Sequence, residues 1–553
     1  MVFVNYLKRH KIVAVRIVWG KVLAISTSVL NNLGIAILPL YLIATILIGW
    51  FSRRRLSGAN DFLNASRSLP LWIVASAFLA ANCGALEIVG LSAMAVQYGV
   101  QAFHFYWIGA IPGMVFLASF MIPIYMRSGV QSLPEYLERR FDARVRLINS
   151  WLILATCTAL SGIGLYAMAQ VLHVVFGWKF TAGALLAAGI VMIYVILGGL
   201  RATIYNEVFQ LLVIVSGLSP LLLRVCTGAF GLSPHLAGSQ GHLWLGLRPI
   251  SPGSSLDQFG VIVGLGFVLS FSYWCTDFVL IQRALTTKTV AAGRLVPLLA
   301  GFGKLGFSLL VIVPALRATA FLGHRRPVSF DQTLPALMTA SYGPVLLGLG
   351  LTALLASLMS GLAANVSAFS SVWTEEIYRG HVRVGASESH YIRIGRLSMV
   401  IAVALSVAAS YLTFYFRDLM EFVQLIFSLL GAPFFAIFLI GIFTRRATSR
   451  GAVAGLLSGV TLAALHHGLV AIGWIAYGSL MSANFYVAVY AFVTSFTVGL
   501  LCSRQAERKS NAQLEGLVYM YGQTSKSMRP SVTWWVLASL LLAACATLNY
   551  LWR

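Results

Sequence analysis

Charge is what this sequence has least of. Only 10% of its 553 residues are Asp, Glu, Lys or Arg, against about 25% in an ordinary soluble chain. That shortage excludes a soluble enzyme, a disordered scaffold and a string of three or four water-soluble domains. Acid is scarcer still, with 16 Asp+Glu against 39 Lys+Arg. The six cysteines, at 83, 157, 226, 275, 502 and 545, form no CxxC pair and no Cys/His cluster. Neither a disulfide framework nor a zinc site is therefore expected. A period of two is missing as well, and the apolar runs are too long for barrel strands. No catalytic constellation stands out, so no enzyme is expected.

What is present is apolar length. Hydrophobic residues make up 59% of the chain, and its 13 Trp and 50 Gly are scattered through the apolar runs; both types are favoured in or beside membrane helices. A helix needs about 20 apolar residues to cross a bilayer. Fourteen segments qualify: 33–51, 71–97, 103–125, 148–175, 180–198, 205–229, 259–282, 296–321, 344–373, 396–415, 421–443, 450–471, 483–503 and 532–552. The expected fold class is an all-α polytopic membrane protein with about 14 transmembrane helices.

In a soluble chain a net charge of +23 would point to nucleic acid. Here the basic residues fall in short loops between apolar runs, where topology and anionic lipid head groups explain them better. The expected partner is the bilayer, with no nucleic acid. Loops after odd-numbered spans hold 25 Lys+Arg, and those after even-numbered spans, with Arg553, hold 8. The positive-inside rule then puts the odd loops in the cytoplasm of a bacterial-type inner membrane and both termini outside. Residues 1–32, with Lys8, Arg9, Lys11, Arg16 and Lys21, run against that topology. They carry no cleavable signal pattern and are read as a basic extension, from an upstream start or a disordered leader.

Ionisable side chains inside a span cost about 2.5–3.5 kcal/mol each on insertion scales, so each is a functional candidate by default. Glu87 lies in the middle of the second span and Lys304 within the eighth; Glu207 opens the sixth, and Asp277 ends Tyr273-Trp274-Cys275-Thr276-Asp277 in the seventh. Two readings stand for Glu87 and Lys304. They neutralise each other across two helices, or both face a polar cavity and meet the hydroxyls of a solute. Glu207 and Asp277 are either structural, through an ion pair or water, or take part in coupling and gating. Gly301-Phe302-Gly303-Lys304 imitates the end of a phosphate loop, but Leu298 and Leu305 replace the required Gly and Ser/Thr, so ATP is not expected. His104, His466 and His467 lack metal-ligand spacing.

Breaks in helices say more. Asn82, Cys83 and Gly84 fall mid-membrane in the second span, and Ser270, Ser272 and Tyr273 at a comparable depth in the seventh. Transporters build midplane sites from two such discontinuous helices in corresponding halves. Residues 71–229 and 259–443 would be the two five-helix repeats, joined by an external loop at 230–258. The first helix and its loop (33–70) would precede them, and three peripheral helices with a basic loop (444–553) would follow.

At these residues the chain resembles the sodium:solute symporter family, in particular its sodium/glucose branch. The likeness covers most of 33–470. It is carried by Ile122-Pro123-Ile124-Tyr125-Met126-Arg127-Ser128-Gly129-Val130 with Ser132-Leu133-Pro134-Glu135-Tyr136-Leu137 and Arg140-Phe141. Further blocks are Gly198-Gly199-Leu200 through Gln210, Tyr273 through Arg283, and Leu429-Leu430-Gly431 to Phe443. The resemblance implies a five-plus-five inverted-repeat, leucine-transporter-like core, alternating access, and solute import driven by sodium, with no other cofactor. Positions matching Asn82, Glu87, Tyr106, Tyr273, Trp274, Lys304 and Gln424 line the sugar pocket or its inner gate in that branch. Two of them depart from it: Glu87 replaces a His and Tyr106 a Glu, so glucose selectivity is not implied. The sodium site implied uses backbone oxygens of Ala80, Cys83 and Ser357 and the hydroxyl of Ser360, but Gly361 stands where a second hydroxyl residue is found. Glu207 matches an acidic residue of a second sodium site whose Thr is Ala363 here, so one sodium per cycle is expected. The solute expected is a small hydroxyl-rich one, a sugar. The alternatives are a carboxylate or amino acid read by Lys304, proton coupling through Glu87 or Glu207, or a non-transporting sensor.

Overall fold

The computed structural model describes residues 32–53, 62–63, 69–130, 132–228, 241–322, 329–504, 509–519 and 530–553. Among these the regular structure is helical, apart from one isolated bridge between Leu69 and Thr287. The bilayer is the reason. With no water to satisfy N–H and C=O groups, each spanning segment must bond internally, and a helix does so without closing a barrel.

In chain order the main helices are α1 (Asn32–Arg53), α2 (Leu71–Asn82), α3 (Leu86–Phe103), α4 (Phe105–Arg127), α5 (Ala143–Phe176), α6 (Phe180–Cys226), α7 (Gly260–Thr276) and α8 (Phe278–Ala284). They continue as α9 (Val290–Leu322), α10 (Pro344–Val382), α11 (Glu388–Tyr415), α12 (Leu419–Phe443), α13 (Ser449–Ala471), α14 (Leu480–Ser503) and α15 (Val532–Leu551). Among the described residues ten helices are long and apolar enough to cross a membrane, or twelve if the bent pairs α2/α3 and α7/α8 each count as one span. The other two expected spans coincide with shorter apolar helices, Ala36–Ser52 and Phe180–Ile193. The count of fourteen therefore exceeds what length and composition support. Of the basic extension, residues 1–31 lie outside the described residues.

α6 runs through what the sequence divides into two spans, and it breaks at Gly199, which adopts φ 58°. Only glycine suits that position twice over: the φ is left-handed, and a Cβ there would come within 2.4 Å of the Phe62 carbonyl oxygen. Glu207 consequently sits two turns inside the second half of α6. Around α2/α3 and α7/α8, the helices α5, α6, α10 and α11 pack on one another as a frame. α13 and α14 pair beside α12. Trp535, Leu540 and Tyr550 of α15 stay exposed, as side chains facing lipid must.

One motif in the family-like blocks proves to be a clamp. Arg140 is fully buried and donates to the carbonyls of Gly441 at 2.7 Å, Thr444 at 2.6 Å and Ala447 at 3.2 Å. A cation there satisfies the orphan carbonyls that end α12 and opposes the helix dipole favourably.

Candidate solute and ion site

Two spans change direction, the first at Cys83–Gly84 and the second at Asp277, past Ser270, Ser272 and Tyr273, which stay helical. α2 and α3 meet at 57°, α7 and α8 at 53°. At the first break Cys83 leaves the helical region (φ −86°, ψ 45°), and the chain resumes in a wide turn over Leu86–Gly90. This break packs directly on α10: a Cβ on Gly84 would make ordinary contact with the Gly361 Cα at 3.4 Å and the Ser357 carbonyl oxygen at 3.8 Å. At the second break Asp277 takes up extended backbone, and its carboxylate accepts from the Leu280 N–H at 3.0 Å, capping α8. Broken helices expose backbone groups that an intact helix would consume.

Between the two breaks lies a cavity of about 70 Å³, and its polar wall is Glu87, Tyr106, Ser270, Tyr273, Trp274 and Gln424. Five of the seven residues expected to touch solute are thus brought to one place, and Ser270 joins them. Close packing shapes the wall: a Cβ on Gly109 would meet the Ser270 hydroxyl at 2.3 Å and displace it from the position it takes here. Asn82 lies below, lining a second cavity of about 40 Å³ with Tyr273, Asp277, Gly361 and Asn365. Its amide donates to the Tyr273 hydroxyl, so Tyr273, which lines both cavities, forms the partition between them.

Lys304 does not reach the cavity. It is wholly buried, with its ammonium 2.7 Å from Glu87 Oε1 and 3.5 Å from the Asn82 carbonyl oxygen. The rings of Tyr106 and Trp274 lie 5.4 and 5.5 Å away, close enough for their π faces to favour a cation. Glu87 also accepts from the Tyr106 hydroxyl, yet its side chain stays 14% exposed. Of the two readings open from sequence, pairing is the one observed, and Glu87 alone of the two faces the cavity. Lys304 is not among the residues that line this cavity, and its ammonium lies behind the wall against Glu87.

The expected ion ligands also converge. Ser360 donates to the Ala80 carbonyl at 3.2 Å and Ser357 to that of Cys83, so hydroxyls of α10 meet carbonyls at the α2 break. All four residues are fully buried. Glu207 stands apart. It is fully buried against Arg283 of α8, whose Nε lies 3.1 and 3.0 Å from its two oxygens. Arg283 lies in a family-like block, but its role was not legible; it needed the distant partner. Among the described residues no group of three or more His, Cys, Asp or Glu is placed to hold a metal ion, and the cysteines are free. His104, His466 and His467 bond to Leu243, Tyr477 and Ser428, as structural histidines do.

The profile of the sodium:solute symporter family matches residues 62–459. The chain is 25% identical over 464 residues to the sodium/glucose cotransporter of Vibrio parahaemolyticus, covering 78% of this chain and 85% of that one. It is 28% identical over 479 residues to a sodium/mannose cotransporter of Bos taurus, with 79% of each covered. Among solved structures, a Na+-coupled sialic acid symporter in a substrate-bound outward-open state matches with a TM-score of 0.75 at 19% identity. That match covers 87% of this chain and 99% of that one. This last likeness shows a shared fold.

Proposed function

This chain belongs to the sodium:solute symporter family, and from that premise we propose that it imports a small, neutral, hydroxyl-rich solute, a sugar, together with one sodium ion per cycle. The observation that carries the choice of solute is the Glu87–Lys304 pair. With Lys304 neutralised behind the wall, the cavity offers carboxylate oxygens, a phenol, a hydroxyl and an amide, flanked by the rings of Tyr273 and Trp274. A pyranose ring has apolar faces for the rings and hydroxyls for the rest. A carboxylate would instead meet the exposed oxygens of Glu87. The relatives named for glucose and mannose carry solutes of the same class.

In this reading residues 71–229 and 259–443 are the inverted halves, and the odd loops face the cytoplasm. Sodium binds where Ala80, Cys83, Ser357 and Ser360 meet, and solute binds one turn away on the same broken helix. Each ligand stabilises the closed arrangement of α2/α3 against α10, so each raises the other's affinity for it. Tyr273 must leave Asn82 before solute passes inward. Glu207 holds Arg283 rather than an ion, which favours a single sodium.

The test is thermal stability of the purified protein in sodium and in potassium at equal ionic strength, across sugars, carboxylates and amino acids. A ligand at ~100 times its dissociation constant adds about 2.7 kcal/mol. The expected result is stabilisation by a sugar in sodium only. Stabilisation by a carboxylate would replace the solute, and indifference to sodium would remove the coupling ion.

A further inference from the structure

Gly361 leaves the proposed ion site one oxygen short, and the adjoining cavity holds an unused one. Asn365 lies one helical turn beyond Gly361 on α10, and its Nδ2 donates to the Gly361 carbonyl at 2.9 Å. A helical side chain leans over the turn before it, and this bond holds the carboxamide beside the Gly361 carbonyl. The other end of that amide, Oδ1, is buried without a hydrogen-bond partner. An amide oxygen in such a place is costly unless something accepts its lone pairs. Asn82 Oδ1 is in the same condition, and both residues line the cavity that also contains Gly361, Gly84 and Asp277. That cavity admits a water-sized species, which needs about 10–15 Å³.

We propose that Asn365 supplies, through its carboxamide oxygen, the coordination that Gly361 lacks, making it a sodium-binding residue of this chain. Hard cations take oxygen donors, carboxamide oxygens included, and no proton need leave for this one to bind. The Nδ2 bond to the Gly361 carbonyl fixes the carboxamide and leaves its oxygen free to turn into the cavity. Asp277 lines the same cavity. This inference rests on the placement of the ion at Ala80, Cys83, Ser357 and Ser360.

The test measures the sodium concentration that half-saturates uptake and thermal stabilisation in the full chain, for Ser360→Ala, Asn365→Ala, Gly361→Ser and the last two combined. A Cβ on residue 361 would meet the Gly84 Cα at 3.4 Å, an ordinary contact, so the serine fits. Asn365→Ala is expected to raise half-saturation roughly ten-fold, the loss typical of one group at an ion site, with stability in potassium little changed. Gly361→Ser in the Asn365→Ala background is expected to bring it back. A shift in Ser360→Ala but none in Asn365→Ala overturns the role of Asn365 and leaves the ion site standing. A shift that Gly361→Ser does not reverse assigns Asn365 to packing and overturns the role as well. Indifference of the parent itself to sodium overturns both the ion site and this inference.

Discussion

Two buried carboxylates in this protein each hold a buried cation, and they do different things with it. Glu207 and Arg283 are sealed, with neither side chain exposed at all. The guanidinium is shared across both oxygens and its Nη1 goes to the Val279 carbonyl at 2.8 Å. Glu87 and Lys304 are half sealed: the lysine is covered completely while the carboxylate opens onto a cavity. A fork-shaped cation satisfies a carboxylate completely and leaves it nothing to offer. A point-like ammonium bonded to one oxygen leaves lone pairs free. The first pair fastens α6 to α8, and the second charges a binding wall without making it anionic to the full extent.

The largest way to break this contrast is to cut the sealed pair. Arg283→Gln leaves Glu207 charged and buried alone, a loss of about 3–5 kcal/mol. The protein should lose most of its folded yield and melt far lower with or without ligand, while Glu207→Gln/Arg283→Gln together recovers part of the loss. A single variant that folds and melts as the parent does would show the pair to be idle.

Cutting the open pair should act on transport before stability. Glu87→Gln keeps the shape of the wall but removes a charged acceptor, and hydrogen bonds to charged groups contribute about 1.5–3 kcal/mol. Solute affinity is expected to fall ten-fold or more in an uptake assay. Lys304→Gln should weaken solute binding less, because Lys304 acts through Glu87. If Lys304→Gln abolishes binding while Glu87→Gln spares it, the lysine is the reader and the solute is an anion.

The smallest effect concerns a carboxylate that forms no salt bridge among the described residues. Asp331, in the short turn Phe330–Gln332, is buried and accepts from the Leu419 N–H at 3.4 Å. Burial first, and then the carboxylates of Asp418 and Glu421, push its carboxyl well above the usual range. A raised carboxyl favours the fold while protonated, and that contribution fades as pH rises through its folded value. Asp331→Asn should therefore melt on the order of 1 °C above the parent at pH 8 and level with it in acid. A gap of the same size at both pH values would mean that Asp331 stays ionised throughout.

Much of the site was legible because the membrane makes polar residues conspicuous. Asn82, Glu87, Tyr273, Trp274 and Lys304 stand out of apolar runs, and the helix breaks fall beside Asn82 and Asp277, where polarity clusters. What was not legible depended on a partner far along the chain. Arg283 looks like a loop residue until Glu207, 76 positions earlier, is placed beside it. Asn365 reads as a lone amide in an apolar helix until its neighbour Gly361 is seen facing Gly84. The sequence divides 180–198 from 205–229, yet the helix runs almost unbroken through both, because one left-handed residue, Gly199, bends it without ending it.

By itself the sequence determined that the chain is helical, that it crosses the bilayer many times, and that two of its spans are interrupted. These follow from local physics, since twenty apolar residues and a satisfied backbone leave few choices. Only the tertiary structure decided which charge faces the solute and which is spent on its neighbour. A buried ion's role is set by whatever lies within about 4 Å of it, and for Glu87 and Glu207 those neighbours come from helices that the sequence places far apart.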